Sequence, residues 1–374
     1  MSNTVIQDNR NGEEEYLASI QKALEEEQLT PTAAENSEKW LTDEELSEFR
    51  DEIRSMIKNG EFDKLNDSFY TVIPFGTSGR RGPVGVGPNR INFRTIGESA
   101  QAVADYFFQD KDANTASAAV IAYDTRHYSR EFAIRTAEVF AGKGISVYIF
   151  DSFRSTPELS FAVRELRADI GVVISASHNP PTDNGFKVYW ADGGQILPHH
   201  GEKIIEVVAK IEKVKRLPIN EAEKQCLVHW IGKDMDQKYW AAVSREALPS
   251  EDNVHIVYTP LHGTGTTSVL PVLRRLGYQV DVVKKQEEAN GDFPEVRNHI
   301  PNPEDPAALE QAIERARELE ADIVLATDPD ADRLGVAVPS SREKKEWVPL
   351  TGNQIASLLT YFVLEQLQQN DTIP

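Results

Sequence analysis

Residues 118–175 read AAVIAYDTRHYSREFAIRTAEVFAGKGISVYIFDSFRSTPELSFAVRELRADIGVVIS, and the apolar pattern in them switches between two periods. The short runs AAVIAYD from Ala118, ISVYIF from Ile145 and DIGVVIS from Asp169 have the length and composition of buried strands. Between them, Ser129 to Ala141 and Pro157 to Leu166 read as helices, the second with Leu159, Val163 and Leu166 on one face. Thr156 as N-cap and Pro157 at the first helical position mark where that helix starts. Two strand-helix-strand units in succession predict a doubly wound α/β fold, its sheet largely parallel or mixed and covered by helices on both faces.

The same alternation returns downstream. NVHIVYT from Asn253, YQVDVV from Tyr278 and DIVLAT from Asp322 are strands, separated by helices at Thr266 to Leu276 and Pro306 to Leu319. Upstream the pattern differs: Tyr16, Leu17, Ile20 and Leu24 share the face of an acidic helix, and the polar stretch LTPTAAENSE from Leu29 reads as a linker. A second helix carries Leu46, Phe49, Ile53, Met56 and Ile57, opened by a Thr42/Glu45 capping box and stopped at Asn59-Gly60. The expected organisation is an N-terminal helical arm (1–70), a first α/β domain (71–225), a second (226–345) and the start of a third (346–374). In that last segment Ile355, Leu358, Leu359, Phe362 and Val363 are expected to face inward.

Among 374 residues, 40% apolar and 27% charged, no apolar run approaches the ~20 residues that span a bilayer, so no membrane partner is expected. A net charge of −20 argues against nucleic acid, whose binding draws on Lys and Arg, and leaves room for a small anionic substrate in a locally basic cleft. Cys226 alone cannot form an internal disulfide; it is read as a buried apolar residue, and the cytoplasm is the expected compartment.

In doubly wound sheets ligands gather beyond the carboxyl ends of strands. After the strand ending near Ile174 comes SASHNPPTDNGFKVYW, which places Ser177, His178, Asn179 and Lys187 close together; the plainer alternative is a surface loop of turn residues. The strand-to-helix elbow G-x-S-x-G is absent around Ser177, so acyl chemistry is disfavoured. After the strand ending near Thr327 comes DPDADR, with Asp328, Asp330 and Asp332 crowded enough to call for a cation, and hard oxygen ligands suggest magnesium. Arg333 and Pro339 stand where an EF-hand needs Gly and Glu. A third stretch, FGTSGRRG, offers Thr77, Ser78, Arg80 and Arg81 among glycines, a pattern that can hold a phosphate. LHGTGT from Leu261 reads as a tight turn using Gly263 and Gly265 for close packing, and His262 and His299 have no partner at metal-ligand spacing.

On successive α/β units, the Gly-Arg, serine and triple-aspartate loops resemble those of the α-D-phosphohexomutase superfamily, the phosphoglucomutases and phosphomannomutases. The resemblance runs from Phe75 through FGTSGRRG, SASHNPPTDNGFKVYW, TPLHGTG, FPEVRNHIPNPED, DPDADR and LTGNQ. It implies that Ser177 carries a phosphate, that Asp328, Asp330 and Asp332 hold one magnesium ion which Ser177 also meets, and that a hexose 1-phosphate and 6-phosphate interconvert through a bisphosphorylated sugar. A glucose 1,6-bisphosphate-type activator is implied as well. Lys187 and then His178 are the implied proton-transfer groups, Arg81 faces the reacting phosphate, and Thr77, Ser78, Arg80, Asn179 and Arg333 bind phosphate or sugar. The arm with Trp40 looks like the branch that also acts on pentose phosphates. A non-catalytic phosphosugar-binding relative and a phosphatase using Asp328 are the competing readings. Ser175 stands where the family usually has Thr, and the sequence lacks most of the third and all of the fourth family domain, as a fragment of a longer protein would.

Overall fold

The computed structural model describes residues 2–76, 79–109, 117–248, 253–341 and 346–369, with side chains from residue 13 onward. The N-terminal segment folds as four helices, α1 (Ser2–Glu25), α2 (Pro31–Thr42), α3 (Arg50–Lys58) and α4 (Phe62–Phe69). The stretch expected to be a linker is therefore α2, capped by Thr30, whose hydroxyl accepts the Ala33 N–H, with Pro31 opening the first turn. Ala33, Ala34, Ser37, Trp40 and Leu41 form its buried stripe at helical spacing. The expected Thr42/Glu45 box is replaced by Asp43, which caps a short 3₁₀ turn at Glu44–Phe49 by accepting the Glu45 N–H. Trp40 packs between Phe49 and Phe69, ring centroids 5.0 and 5.7 Å away, so the segment has a core of its own that reaches the first α/β unit through Val86.

The first sheet comprises β1 (Gly79–Pro83), β2 (Ala118–Tyr123), β3 (Ser146–Phe150), β4 (Ile170–Ile174), β5 (Asp183–Trp190) and β6 (Val228–Ile231), in the order β1-β5-β4-β2-β3-β6. β4, β2, β3 and β6 are parallel, while β5 runs antiparallel to both β4 and β1. Helices α5 (Phe93–Phe108), α6 (Ser129–Gly142), α8 (Pro198–Val208) and α9 (Ile219–Lys224) bury one face through residues such as Ile96, Phe132, Phe140 and Ile204. α7 (Thr156–Glu165) and α10 (Lys233–Arg245) cover the other through Leu159, Val163 and Met235. β6 was expected in the second α/β unit; its pairing to β3 puts it at the edge of the first. Cys226, just before it, is exposed, in a left-handed turn with φ 55°.

The second sheet repeats the plan on a smaller scale: β7 (His255–Thr259), β8 (Gln279–Val282), β9 (Ile323–Thr327), β10 (Leu334–Pro339) and β11 (Trp347–Leu350), ordered β11-β10-β9-β7-β8. β9, β7 and β8 are parallel, and β10 and β11 follow antiparallel. α11 (Gly265–Arg275) lies on one face; after the short α12 (Lys284–Glu287), α13 (Glu310–Glu318) lies on the other. Trp347, expected to begin a third unit, is in this core as part of the edge strand β11. The last helix, α14 (Gly352–Gln369), does not turn its apolar face inward: Leu358, Leu359, Phe362 and Val363 are 57, 53, 43 and 43% exposed. Among the described residues no helix is long and apolar enough to cross a membrane. In each sheet, then, the loop of interest joins the last parallel strand to an antiparallel neighbour, β4 to β5 and β9 to β10, and the two loops meet.

Candidate active site

The serine loop leaves β4 with Ser177 in the left-handed region, φ 56°, a conformation that L-residues rarely hold without support. Support comes first from Ser175, whose hydroxyl accepts the Ser177 N–H at 2.8 Å; a Thr there would offer the same oxygen. It comes next from Arg126, in the loop after β2. The Arg126 guanidinium donates to the carbonyls of Ser177 (2.6 Å), Asn179 (2.5 Å), Pro180 (2.7 Å) and Asp183 (3.1 Å), gathering the loop around one buried cation. Asp124 lies 3.3 Å from its Nε and balances the charge, and Phe293 of the second unit stacks on its plane. Asn179 was expected to bind substrate; its side chain instead donates to Asp183 Oδ2 and closes the loop.

The aspartate loop is seated by the LHGTGT turn. Thr264 N–H donates to the Pro329 carbonyl, and a Cβ on Gly263 would lie 2.4 Å from the Pro329 Cα, so only glycine permits this approach. His262 is buried, bonded to the Glu288 carbonyl and the Glu295 N–H, and belongs to the scaffold. Asp328 Oδ1 accepts the backbone N–H groups of Asp332 and Arg333, while its Oδ2 accepts the Ser177 hydroxyl at 2.5 Å. The Ser177 hydroxyl and the first carboxylate of the triad, 151 positions apart, are thus in direct contact. Lys187, on β5, reaches across to Asp330 Oδ2 (2.5 Å) and Asp332 Oδ2 (3.0 Å).

Much of this charge, on Asp328, Asp330 and Lys187, lies out of water, while Asp332 is exposed. Burial raises the Asp328 carboxyl well above the usual range, and Asp330 and Asp332 add to the shift. Burial pulls Asp330 the same way, yet the Lys187 ammonium outweighs it and the net shift is downward. For Lys187 burial lowers and the two carboxylates raise, with a net upward shift. His178, its Nδ1 3.2 Å from Ser177 Oγ, is pushed down to about 4 by burial and by the charges of Arg333 and Arg81.

The carboxylates of Asp328, Asp330 and Asp332 each offer an oxygen within 4.8 Å of the others. Asp330 Oδ1 is buried without a hydrogen-bond partner, an orphaned acceptor that a bound cation would satisfy. A hard divalent ion fits this all-oxygen set.

Strand alternation separates the two arginines of the first loop. Arg81 is exposed, paired in register with Gly185 of β5, and its charge bears on His178. Arg80 was expected to bind phosphate; it points the other way and is buried, donating to the Thr95 carbonyl at 3.0 Å beside Glu98. Thr77 and Ser78 lie outside the described residues. A cavity of about 790 Å³ is lined by residues including Phe49, Phe93, Tyr128 and Asp292 and by none of the serine, lysine or aspartate side chains above.

Fold and site together define a two-unit α/β scaffold with a serine and a carboxylate cluster where the units meet, and comparison with known proteins gives its family. The chain belongs to the phosphoglucomutase/phosphomannomutase family: residues 73–215 match its α/β/α domain I and residues 237–341 its α/β/α domain II. It is 36% identical over 325 residues to a phosphoglucomutase of Staphylococcus epidermidis, covering 84% of this chain and 57% of that protein. Over 353 residues it is 35% identical to a probable phosphoribomutase of Schizosaccharomyces pombe, covering 90% of this chain and 58% of that one. A crystal structure of a putative phosphomannomutase from Thermus thermophilus superposes with a TM-score of 0.60 at 27% identity, covering 72% of this chain and 57% of that one. The chain therefore spans somewhat more than half the length of the relatives it matches.

Proposed function

We propose that this chain carries the phosphoryl-transfer site of a magnesium-dependent sugar-phosphate mutase, with Ser177 as the residue that is phosphorylated. The observation behind the proposal is the 2.5 Å contact of Ser177 Oγ with Asp328, inside a carboxylate cluster that already draws in Lys187. Asp328, Asp330 and Asp332 would hold the magnesium, which when bound neutralises charge on phosphoryl oxygens. In the transfer a sugar hydroxyl forms a bond to phosphorus as the bond to Ser177 Oγ breaks, giving a bisphosphorylated sugar; return of the other phosphate restores the phosphoserine. Lys187, donating to two carboxylates, serves as a fixed cation, and Arg81 and Arg333 add positive charge around the phosphate. We assign the hydroxyl proton to His178, whose Nδ1 stands 3.2 Å from the reacting Ser177 Oγ. Ser177 is only 2% exposed, which protects its phosphate from water.

The substrate we infer is a hexose 1-phosphate exchanging with its 6-phosphate. A pentose phosphate is the second reading, favoured by the phosphoribomutase of Saccharomyces cerevisiae, 33% identical over 353 residues covering 89% of this chain. Phosphopeptide mapping of the intact protein is expected to find phosphate on Ser177. Ser177→Ala is expected to lose at least about a thousandfold in conversion of glucose 1-phosphate or ribose 1-phosphate, as loss of a covalent nucleophile does. Undiminished turnover by that variant overturns the proposal and favours a phosphatase-like or binding role.

A further inference from the structure

We propose that Thr156 is a positioning residue for the metal-binding carboxylate of Asp330, holding one of its oxygens so that the other is left for the cation. Thr156 opens α7 at the carboxyl end of β3, in the first unit, whereas Asp330 belongs to the second. Two hydrogen bonds join them: the Thr156 hydroxyl donates to Asp330 Oδ2 at 2.6 Å, and the Thr156 N–H donates to the Asp330 carbonyl at 2.8 Å. Thr156 is free for this work because Ser155, and not Thr156 as the sequence suggests, caps α7 by accepting the Glu158 N–H. The adjacent hydroxyls divide two tasks that one residue could not perform.

A carboxylate can turn about its own axis and exchange its two oxygens. At Asp330 both Lys187 and Thr156 hold Oδ2, which fixes the group, and Oδ1 is the oxygen left buried and unpartnered. The hydroxyl donor is neutral, so it orients the group without cancelling the charge that a cation needs. A second lysine there would satisfy Oδ2 equally well and compete electrostatically with the metal. Partners of this kind, bonded to a ligand and not to the ion, typically change metal affinity by about 10- to 100-fold.

This inference rests on the metal reading of Asp328, Asp330 and Asp332, and calorimetric titration of the purified 374-residue chain with magnesium or manganese chloride tests the two separately. Two variant pairs differ essentially by the hydroxyl: wild type against Thr156→Val, and Thr156→Ser against Thr156→Ala. The Val and Ala variants are expected to bind either ion about tenfold more weakly, and the Ser variant to stay within about twofold of wild type. Wild-type affinity in the Val or Ala variant overturns the positioning role, as does equal weakening of the Ser and Ala variants; if one pair does not fold, the other decides. Asp328→Asn is the control for the site itself: unchanged metal binding in that variant removes the metal reading and this inference with it.

Discussion

Arg126 shows how much of the serine loop depends on one buried residue outside it. Its buried guanidinium meets four loop carbonyls and the buried Asp124 carboxylate. Burial raises the Asp124 carboxyl and the Arg126 charge opposes that shift, so Asp124 depends on its partner. Replacing Arg126 with Met leaves a buried carboxylate unpaired and four carbonyls without a donor. The expected loss is about 3–5 kcal/mol of folding stability, the usual cost of removing one partner of a buried pair, read as a lower urea midpoint. Arg126→Lys keeps the charge but not the planar fork, so it should recover part of that stability and little of the proposed mutase activity. Neither Arg126 nor Thr156 was legible in the sequence. Each follows a strand, as Ser177 and Asp328 do, but each is a single residue whose partners lie far along the chain, 51 positions away for Arg126 and Ser177 and 174 for Thr156 and Asp330. The serine and aspartate loops were legible because each packs its chemistry into one short run.

At the scale of elements, β5 carries Lys187 and is wedged between β1 and β4. Gly185, two residues earlier and on the same face as Lys187, makes this approach possible: a Cβ there would stand 2.5 Å from the Ser175 carbonyl oxygen and 2.8 Å from that of Arg80. Both contacts are backbone, so neither can swing aside. Gly185→Ala is expected to cost about 1–3 kcal/mol in chemical denaturation and, by shifting β5, to lower kcat more than it raises KM. If kcat remained at the wild-type value, the strand would have more freedom than its neighbours imply. The parallel strands β2, β3, β4, β7, β8 and β9 and the helices α6, α7, α11 and α13 followed directly from hydrophobic period, whereas β6, α5, α9 and α10 were not read. α2 did not, because its buried stripe is built on Ala33, Ala34 and Ser37, small residues that carry little hydrophobic signal, and only the Thr30-Pro31 start announces a helix. β11 was misplaced for another reason: antiparallel pairing to β10 is a tertiary fact, and a strand of four residues has too short a pattern to declare its sheet.

Over the whole molecule, the two α/β units are joined by the polar contacts at the site and by α10, which packs on both α7 and α11. Buried at the seam between α7 and α10 are the carboxyls of Glu158 and Asp236 and the cation of Arg154, while Lys238 pairs with Glu165 at the more exposed edge. Arg154 forks onto Asp236 at 2.7 and 2.9 Å, which leaves Glu158, fully buried, without an ionic partner of its own. Burial first, and the neighbouring Asp236 second, push Glu158 up to about 9, so it is neutral in the folded protein at pH 7. Unfolded, it titrates near about 4.3. Between these values the folded chain keeps a proton that the unfolded chain releases, and the stability associated with Glu158 is therefore full below about pH 4.3 and lost progressively as the pH rises towards about 9. Glu158→Gln removes that linkage while keeping the shape of the side chain. Urea midpoints of the two proteins are expected to converge near pH 5 and to separate by pH 8, with the Gln variant the more stable. A constant difference between them across that interval would mean that Glu158 is ionised in the folded seam, with Arg154 shared between both carboxylates.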